Sequence, residues 1–392
     1  MLRAAARWPS GPRSGLRPGP AVLALALGFG IGRAGLRLVQ PQLLEDGGPI
    51  EFLSELALLL CLFCVGLRLQ APFVWSRWRI PVRLATLSML ATLILGAAAA
   101  MLLFGVNFLE ALLLASILAP TDPVLGSDAV ADTPAAEPYA LGGSLSGGLA
   151  VAVVVLVLGL MGVEDKTSTS FGMLVLGALW SVGGGIVIGW LIGLGMARWI
   201  ALMDFDRQTD ILETIVVFST AVLAFVGAEA VHSSGVFAVF AAGLALCHGG
   251  RLRAPVRRRP LAPRVLKIAG RVEKLSALAV VVLLGVVSAE MDLGLKVAAF
   301  AIIFLGLVRP LAVRLGLSGL VAATPQRRCL EWAGIRGAAS FYCLVFAIDH
   351  GLAAPLAHEL AGIALVVIAG SIVVYGATAS PMQSASPGAL SS

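Results

Sequence analysis

Between Ala115 and Gly126 an apolar run, SILAPTDPVLG after its leading alanine, carries Pro120, Thr121, Asp122 and Pro123. Two prolines so close together remove backbone donors and disfavour a helical conformation in the residue before each, so a helix entering this stretch is expected to break around Thr121 and Asp122. Freed carbonyls then sit beside one carboxylate. At membrane depth such a break is tolerated only where it is buried in protein or lines a watery cavity, and an acidic residue there points to an ion or proton pathway. Asp122 is therefore read as a cation or proton site.

Arg336 is the second expensive residue. In WAGIRGAASF, Trp332 to Phe341, its guanidinium lies between Gly334 and Gly337, too deep in an apolar run to reach water, and it needs a carboxylate or carbonyl partner. Arg309, next to Pro310, is expected to snorkel toward a span end. The segment LGGSLSGGLA, Leu141 to Ala150, reads as a close packing face against the broken helix, with hydroxyls at Ser144 and Ser146. A nucleophilic serine is disfavoured there, because no histidine base lies at membrane depth and Ser144 to Gly147 lacks the glycine of a GxSG motif. Glu55 and Glu110 lie near span starts, and Glu229 joins His232 at a mouth. Asp128, Asp132 and Glu137 form an acidic stretch past the break, either gathering cations or simply solvated.

These groups need a scaffold, and composition defines it. The chain has 392 residues, 59% apolar and only 13% charged, with a mean hydropathy of +0.96; a soluble domain carries roughly a quarter charged residues. The reading is an all-α polytopic membrane protein. Its 45 glycines suit close helix approach, and long unbroken apolar runs exclude a β-barrel. About twelve spans are expected, near residues 21–32, 50–67, 84–105, 109–125, 140–163, 171–196, 214–230, 236–247, 275–289, 295–315, 332–348 and 360–375, most near or below the roughly twenty residues that cross a bilayer.

Basic loops at Arg68 to Arg83, Arg251 to Lys274 and Arg327–Arg328 fall on one side by parity, and the intervening loops are acidic or mixed, which places both termini in the cytoplasm. The net charge of +6 thus reports orientation and not nucleic-acid binding. Residues 1–19 resemble the basic part of a signal peptide without a cleavage site and are read as a cytoplasmic segment before a membrane domain of residues 20–379. Residues 380–392, rich in Ser, Pro and Gly, are read as a disordered cytoplasmic tail. Cys61 and Cys64 read as packing residues, and the four histidines show no metal-ligand spacing.

The stretches ELALLLCLFCVGLRL from Glu55, RWRIPVRLATLSML from Arg77, APTDPVLGSD from Ala119, GVFAVFAAGLAL from Gly235 and GIRGAASFY from Gly334 together resemble the sodium/proton exchangers of the cation/proton antiporter superfamily, bacterial subfamily 1 type. The resemblance implies inverted repeats whose two discontinuous helices cross near the midplane, beside a dimerisation domain, hence a homodimer. It places Thr121 and Asp122 at the ion site and Arg336 as a core charge paired to a glutamate. It also exposes a departure. Where the family reads GEAGLNDGLA, this chain has Gly142 for the glutamate, Ser146 for the asparagine and Gly147 for the aspartate. The implied function is exchange of Na+, or K+, for H+ by alternating access, with Asp122 as the ligand for Na+ and Thr121 and Ser146 as auxiliary oxygens, without an organic cofactor and without enzymatic chemistry. The alternative is a transport-deficient scaffold or regulatory protein that keeps the fold.

Overall fold

The structure, a computed structural model, describes residues 19–33, 35–69, 75–126, 135–162, 171–202, 210–249, 263–291, 294–320 and 324–384. Outside them lie residues 1–18, Asp128 and Asp132, the loop from Glu164 to Lys166, residues 250–262 of the basic loop, and residues 385–392.

Every regular element among the described residues is a helix: α1 Pro20–Ile31, α2 Gly47–Arg68, α3 Trp75–Phe104, α4 Phe108–Leu118, α5 Ala136–Leu160, α6 Phe171–Leu202, α7 Asp210–Glu229, α8 Gly235–Gly249, α9 Pro263–Val286, α10 Leu295–Gly316, α11 Thr324–Trp332, α12 Ala338–Asp349 and α13 Ala354–Ser384. Among the described residues eight helices are long and apolar enough to cross a membrane, and α1, α4, α8 and α12 are shorter apolar helices. Each expected span has its counterpart. The boundaries differ where polar turns extend the apolar runs. α3 starts at Trp75 and α9 at Pro263, because arginines and lysines in a first turn stay helical while escaping a hydropathy reading. α13 carries on through Ser380 to Ser384, into the stretch read as disordered, since adding residues to an existing helix is easy once it is nucleated.

Two copies of one local plan are visible. α3 contains a wide π turn, Leu84–Ser88, and leads into α4, which stops at Leu118; α10 contains a π turn, Phe304–Val308, and leads into α11, which stops at Trp332 before α12 begins. Each π turn lies within a few residues of a proline, Pro81 or Pro310, whose missing N–H already interrupts the helical ladder. By parity along the chain the two copies run in opposite directions. They pack on each other through small residues: a side chain on Gly96 would strike Phe304, and one on Gly316 would strike Ser88.

α12 and α8 are buried along almost their whole length, whereas only 11% of the apolar window of α6 is covered by protein. The bundle therefore has a dry centre and a lipid-facing flank at α6 and α7. Its two ends differ in charge. At one end Arg68 pairs with Glu273 at 2.7 Å, and Arg314 and Arg327 share Glu331. At the other, Glu51 approaches His350 at 3.7 Å and Tyr342 donates to Glu55 at 3.4 Å. Glu110 has a local task, closing a capping box with Asn107 at the start of α4.

α2 and α8 cross at two glycines. An added Cβ on Gly66 would lie 2.8 Å from the Phe240 carbonyl oxygen, and one on Gly243 would lie 2.6 Å from that of Phe63. Backbone cannot retreat as a side chain can. Gly243→Leu is expected to cost about 1–3 kcal/mol or more by overpacking, read as a lower melting temperature in detergent, while Gly177→Ala, with open space around it, leaves melting unchanged.

Candidate functional site

α4 ends at Leu118, and residues 119–126 continue without helix; between α11 and α12, residues 333–337 are likewise unwound. A helix that stops inside apolar surroundings leaves carbonyls at its C-terminal end and N–H groups at the N-terminal end of whatever follows. Here the two breaks lie against each other, and each supplies what the other lacks. The guanidinium of Arg336 donates through Nη1 to the carbonyls of Ala119, at 2.5 Å, and Pro120, at 2.8 Å. The carboxylate of Asp122 accepts the backbone N–H of Ala338, the first residue of α12, at 2.9 Å. The main chain adds a link, with Asp122 N–H donating to Ile335 O at 2.9 Å.

Asp122 is 3% exposed. Its Oδ1 accepts two further backbone N–H groups, Val124 and Leu125, both at 2.8 Å, so it also turns the chain out of the break. Among the described residues Oδ2 has only the Ala338 donor, which leaves lone-pair capacity there for a cation or a proton. Gly337 makes this approach feasible: a methyl on it would fall onto the Asp122 carboxylate, with Cγ at 2.7 Å. Tyr139 braces the same turn, its hydroxyl donating to Asp122 O at 2.9 Å.

Thr121, Asp122 and Ser146 are all buried. Thr121 and Ser146 share the wall of one small cavity with Ala119, Tyr139, Gly142 and Arg309. The glycine face of α5 does meet the broken segment: a Cβ on Gly143 would lie 3.2 Å from Thr121 O and from Pro123 Cβ. The hydroxyl of Ser146 donates to Gly143 O in its own helix, at 3.0 Å, and so presents lone pairs to the cavity. Ser144 donates to Ala140 O, so neither serine has the base a nucleophile needs.

Arg336 is fully buried. Among the described residues it forms no ion pair, with Asp122 or with any glutamate; carbonyls and the Phe304 ring, 5.4 Å from Cζ to the centroid, are its partners. The carbonyl option open in the sequence is thus the one realised, because Pro120 and Pro123 free carbonyls within its reach. Arg309 does not snorkel. It is 5% exposed, packed with its stem near Gly334. Neither Tyr139 nor Ser371, whose hydroxyl accepts Arg336 N–H at 2.8 Å, stands out from the residue pattern alone.

From the site a polar ladder climbs α12 toward the acidic end: Ala338 at Asp122, then Tyr342 with Glu55, then His350 stacked on Phe346 at 3.9 Å and beside Glu51. Glu229 lies within electrostatic range of Glu55, as a mouth residue would. Cys61 is a buried packing residue that contacts Ser276, and no group of metal-binding side chains occurs among the described residues.

The family profile described as "Sodium/hydrogen exchanger, transmembrane" matches residues 9–385. The K(+)/H(+) antiporter NhaP2 of Shewanella sp. (strain MR-4) is 27% identical over 343 residues, which are 86% of this chain and 58% of the relative. NhaP2 of Shewanella baltica (strain OS223) is 26% identical over 346 residues, 86% of this chain and 57% of the relative. This chain therefore spans under two thirds of the length of those relatives. The sodium proton antiporter MjNhaP1 from Methanocaldococcus jannaschii at pH 8 has the same fold, with a TM-score of 0.74 over 92% of this chain and 91% of that one, at 20% identity.

If the crossing depends on Asp122 as an acceptor, Asp122→Asn turns an N–H₂ toward the Ala338 N–H and costs about 1–3 kcal/mol. Gly337→Ala, by displacing the carboxylate, is expected to cost at least as much. Both should lower the melting temperature of the purified protein, while Ser144→Ala, which loses only a bond within its own helix, stays within about 0.5 kcal/mol of the parent.

Proposed function

The chain belongs to the sodium/hydrogen exchanger family, and from that premise we propose that it exchanges a monovalent cation, Na+ or K+, for H+ across the cell membrane by alternating access. The observation that carries the proposal is a buried carboxylate whose Oδ2 accepts one donor among the described residues, set where two unwound segments cross, near a small cavity walled by Thr121 and Ser146 and with Glu55, bound by Tyr342, further along α12. A cation and a proton compete for Oδ2 of Asp122. Thr121 and Ser146 contribute neutral oxygens that replace water around the cation, and Arg336 holds the crossing together. Glu51, Glu55 and Glu229 concentrate cations at the approach.

The basic end of the bundle faces the cytoplasm, so both termini lie there. The thinly covered α6 and its neighbour α7 offer the flank on which a second copy packs to form a homodimer. Such exchange supports sodium transport and pH homeostasis, and it requires no organic cofactor.

Reconstitution tests this. Proteoliposomes carrying an internal pH dye are given an inward or outward Na+ or K+ gradient, and internal pH is expected to shift with the wild-type chain. Ser146→Ala should raise the cation concentration for half-maximal response without changing the melting temperature. Gly147→Asp, whose Cβ would meet only Ala339 Cβ, at 3.3 Å, adds a carboxylate beside the start of α12 and should increase the rate. A folded wild type that moves internal pH with neither cation contradicts the proposal, and a response appearing only in Gly147→Asp assigns the chain to the transport-deficient alternative.

A further inference from the structure

The far end of α12 meets α2 through acids. Glu51 lies one turn into α2 with its side chain 14% exposed, and Asp349 closes α12 at the surface. Their carboxyl groups are within hydrogen-bonding reach of each other. An ionised carboxylate only accepts, so two of them cannot hydrogen-bond, and the contact exists only while a proton is held between them. Without that proton two like charges face one another, and the contact turns from attractive to repulsive.

Local geometry fixes this meeting. A Cβ on Gly47, the first residue of α2, would lie 2.5 Å from Asp349 Oδ1, so Asp349 comes this close only because that position is glycine. The first turn of a helix carries unpaired N–H groups and a positive partial charge, which suits the one negative charge that the protonated pair keeps. His350 Nδ1 stands 3.7 Å from Glu51 Oε2 and 3.0 Å from Phe346 O. Glu55 and Tyr342 make the next contact between the same two helices, with Glu229 within electrostatic range of Glu55. Glu45 and Asp46, in the turn before α2, are engaged with Gln42. Among the described residues no lysine or arginine pairs with Glu51 or Asp349.

The two helices differ in what they carry. α12 begins at Ala338, the residue bound to Asp122, whereas α2 is fixed to α8 through Gly66 and Gly243 and to α9 through Arg68 and Glu273. The contact between Glu51 and Asp349 therefore ties the helix that completes the crossing to a helix of the surrounding frame, at the acidic mouth.

We propose that Glu51 and Asp349 are a proton-operated latch on that mouth: a proton shared by the pair holds α12 against α2, and its release to the adjoining solution lets the two helix ends separate. The exposed Asp349 gives that proton its way in and out. The latch deepens the exchange reading and rests on it for its purpose, since an exchanger must close one mouth while the other opens.

The test is the distance between spin labels on Gly48→Cys, in open space, and Ala353→Cys, at an exposed position. It is read on the full chain in detergent, with Cys247 and Cys329 replaced by serine and the three buried cysteines kept. The pH runs from about 5 to about 10, which spans the titration of paired carboxyls and of histidine. One short distance is expected at low pH, and a second, longer one that grows as pH rises. Glu51→Gln donates an amide N–H to Asp349 at every pH and should keep the short distance throughout; Glu51→Ala, with nothing to hold, should show the long one throughout. His350→Gln should retain the dependence on pH. A distance that does not change with pH overturns the proposal, as does a change that persists in Glu51→Gln or vanishes in His350→Gln. Should Glu51→Gln not fold, Asp349→Asn carries the same expectation, its amide donating to Glu51. No gradient is applied, so a latch that fails here leaves the exchange reading standing, and vesicles that do not exchange leave the latch standing.

Discussion

A peptide group freed from its helix in the middle of a bilayer has no water to turn to, and this structure answers that constraint by pairing one break with another. The C-terminal end of α4 exposes carbonyls, and the cation Arg336 covers two of them; the N-terminal end of α12 exposes N–H groups, and the anion Asp122 covers one. The signs agree with the partial charges at helix ends, negative where carbonyls emerge and positive where N–H groups do. Each charged side chain thus satisfies the backbone of the opposite strand of the crossing, and neither is spent on the other.

That arrangement explains the small residues around it. Gly337 lets Asp122 reach Ala338, and Gly126 makes room for the Tyr139 ring that braces the turn. Gly143 lets the break lie against α5. Further out, the π turns of α3 and α10, pressed together through Gly96 and Gly316, hold the two repeats in register around the same centre. The polar ladder along α12 then runs from Asp122 to the acidic end, so one short helix both completes the crossing and carries contacts to that end.

Much of this was legible in the sequence because proline and charge are costly in lipid. Pro120 and Pro123 announce the first break, the lone Asp122 marks it as a candidate ion site, and apolar run lengths anticipate each span. The second break was less visible: no proline lies between Trp332 and Ala338, only Gly334 and Gly337 around Arg336, and a glycine inside an apolar run is equally a packing residue. The partners of Arg336 depend on long-range geometry that single-chain reading leaves open between carboxylate and carbonyl. Arg309 was misplaced because proximity to Pro310 suggests a span end, whereas the π turn just before it carries the side chain inward. Helix ends ran past their apolar cores because hydropathy sees lipid contact and not hydrogen bonding.

The central claim, that Asp122 is the acceptor joining the two breaks, is tested most directly by hydrogen–deuterium exchange of the backbone amides of Val124, Leu125 and Ala338 in the wild type and in Asp122→Ala. The account predicts slow exchange at all three in the wild type and a concerted acceleration in the variant, with the amides in the middle of α2 unaffected. Exchange that is already fast in the wild type, or that is unchanged when the carboxylate is removed, would contradict it.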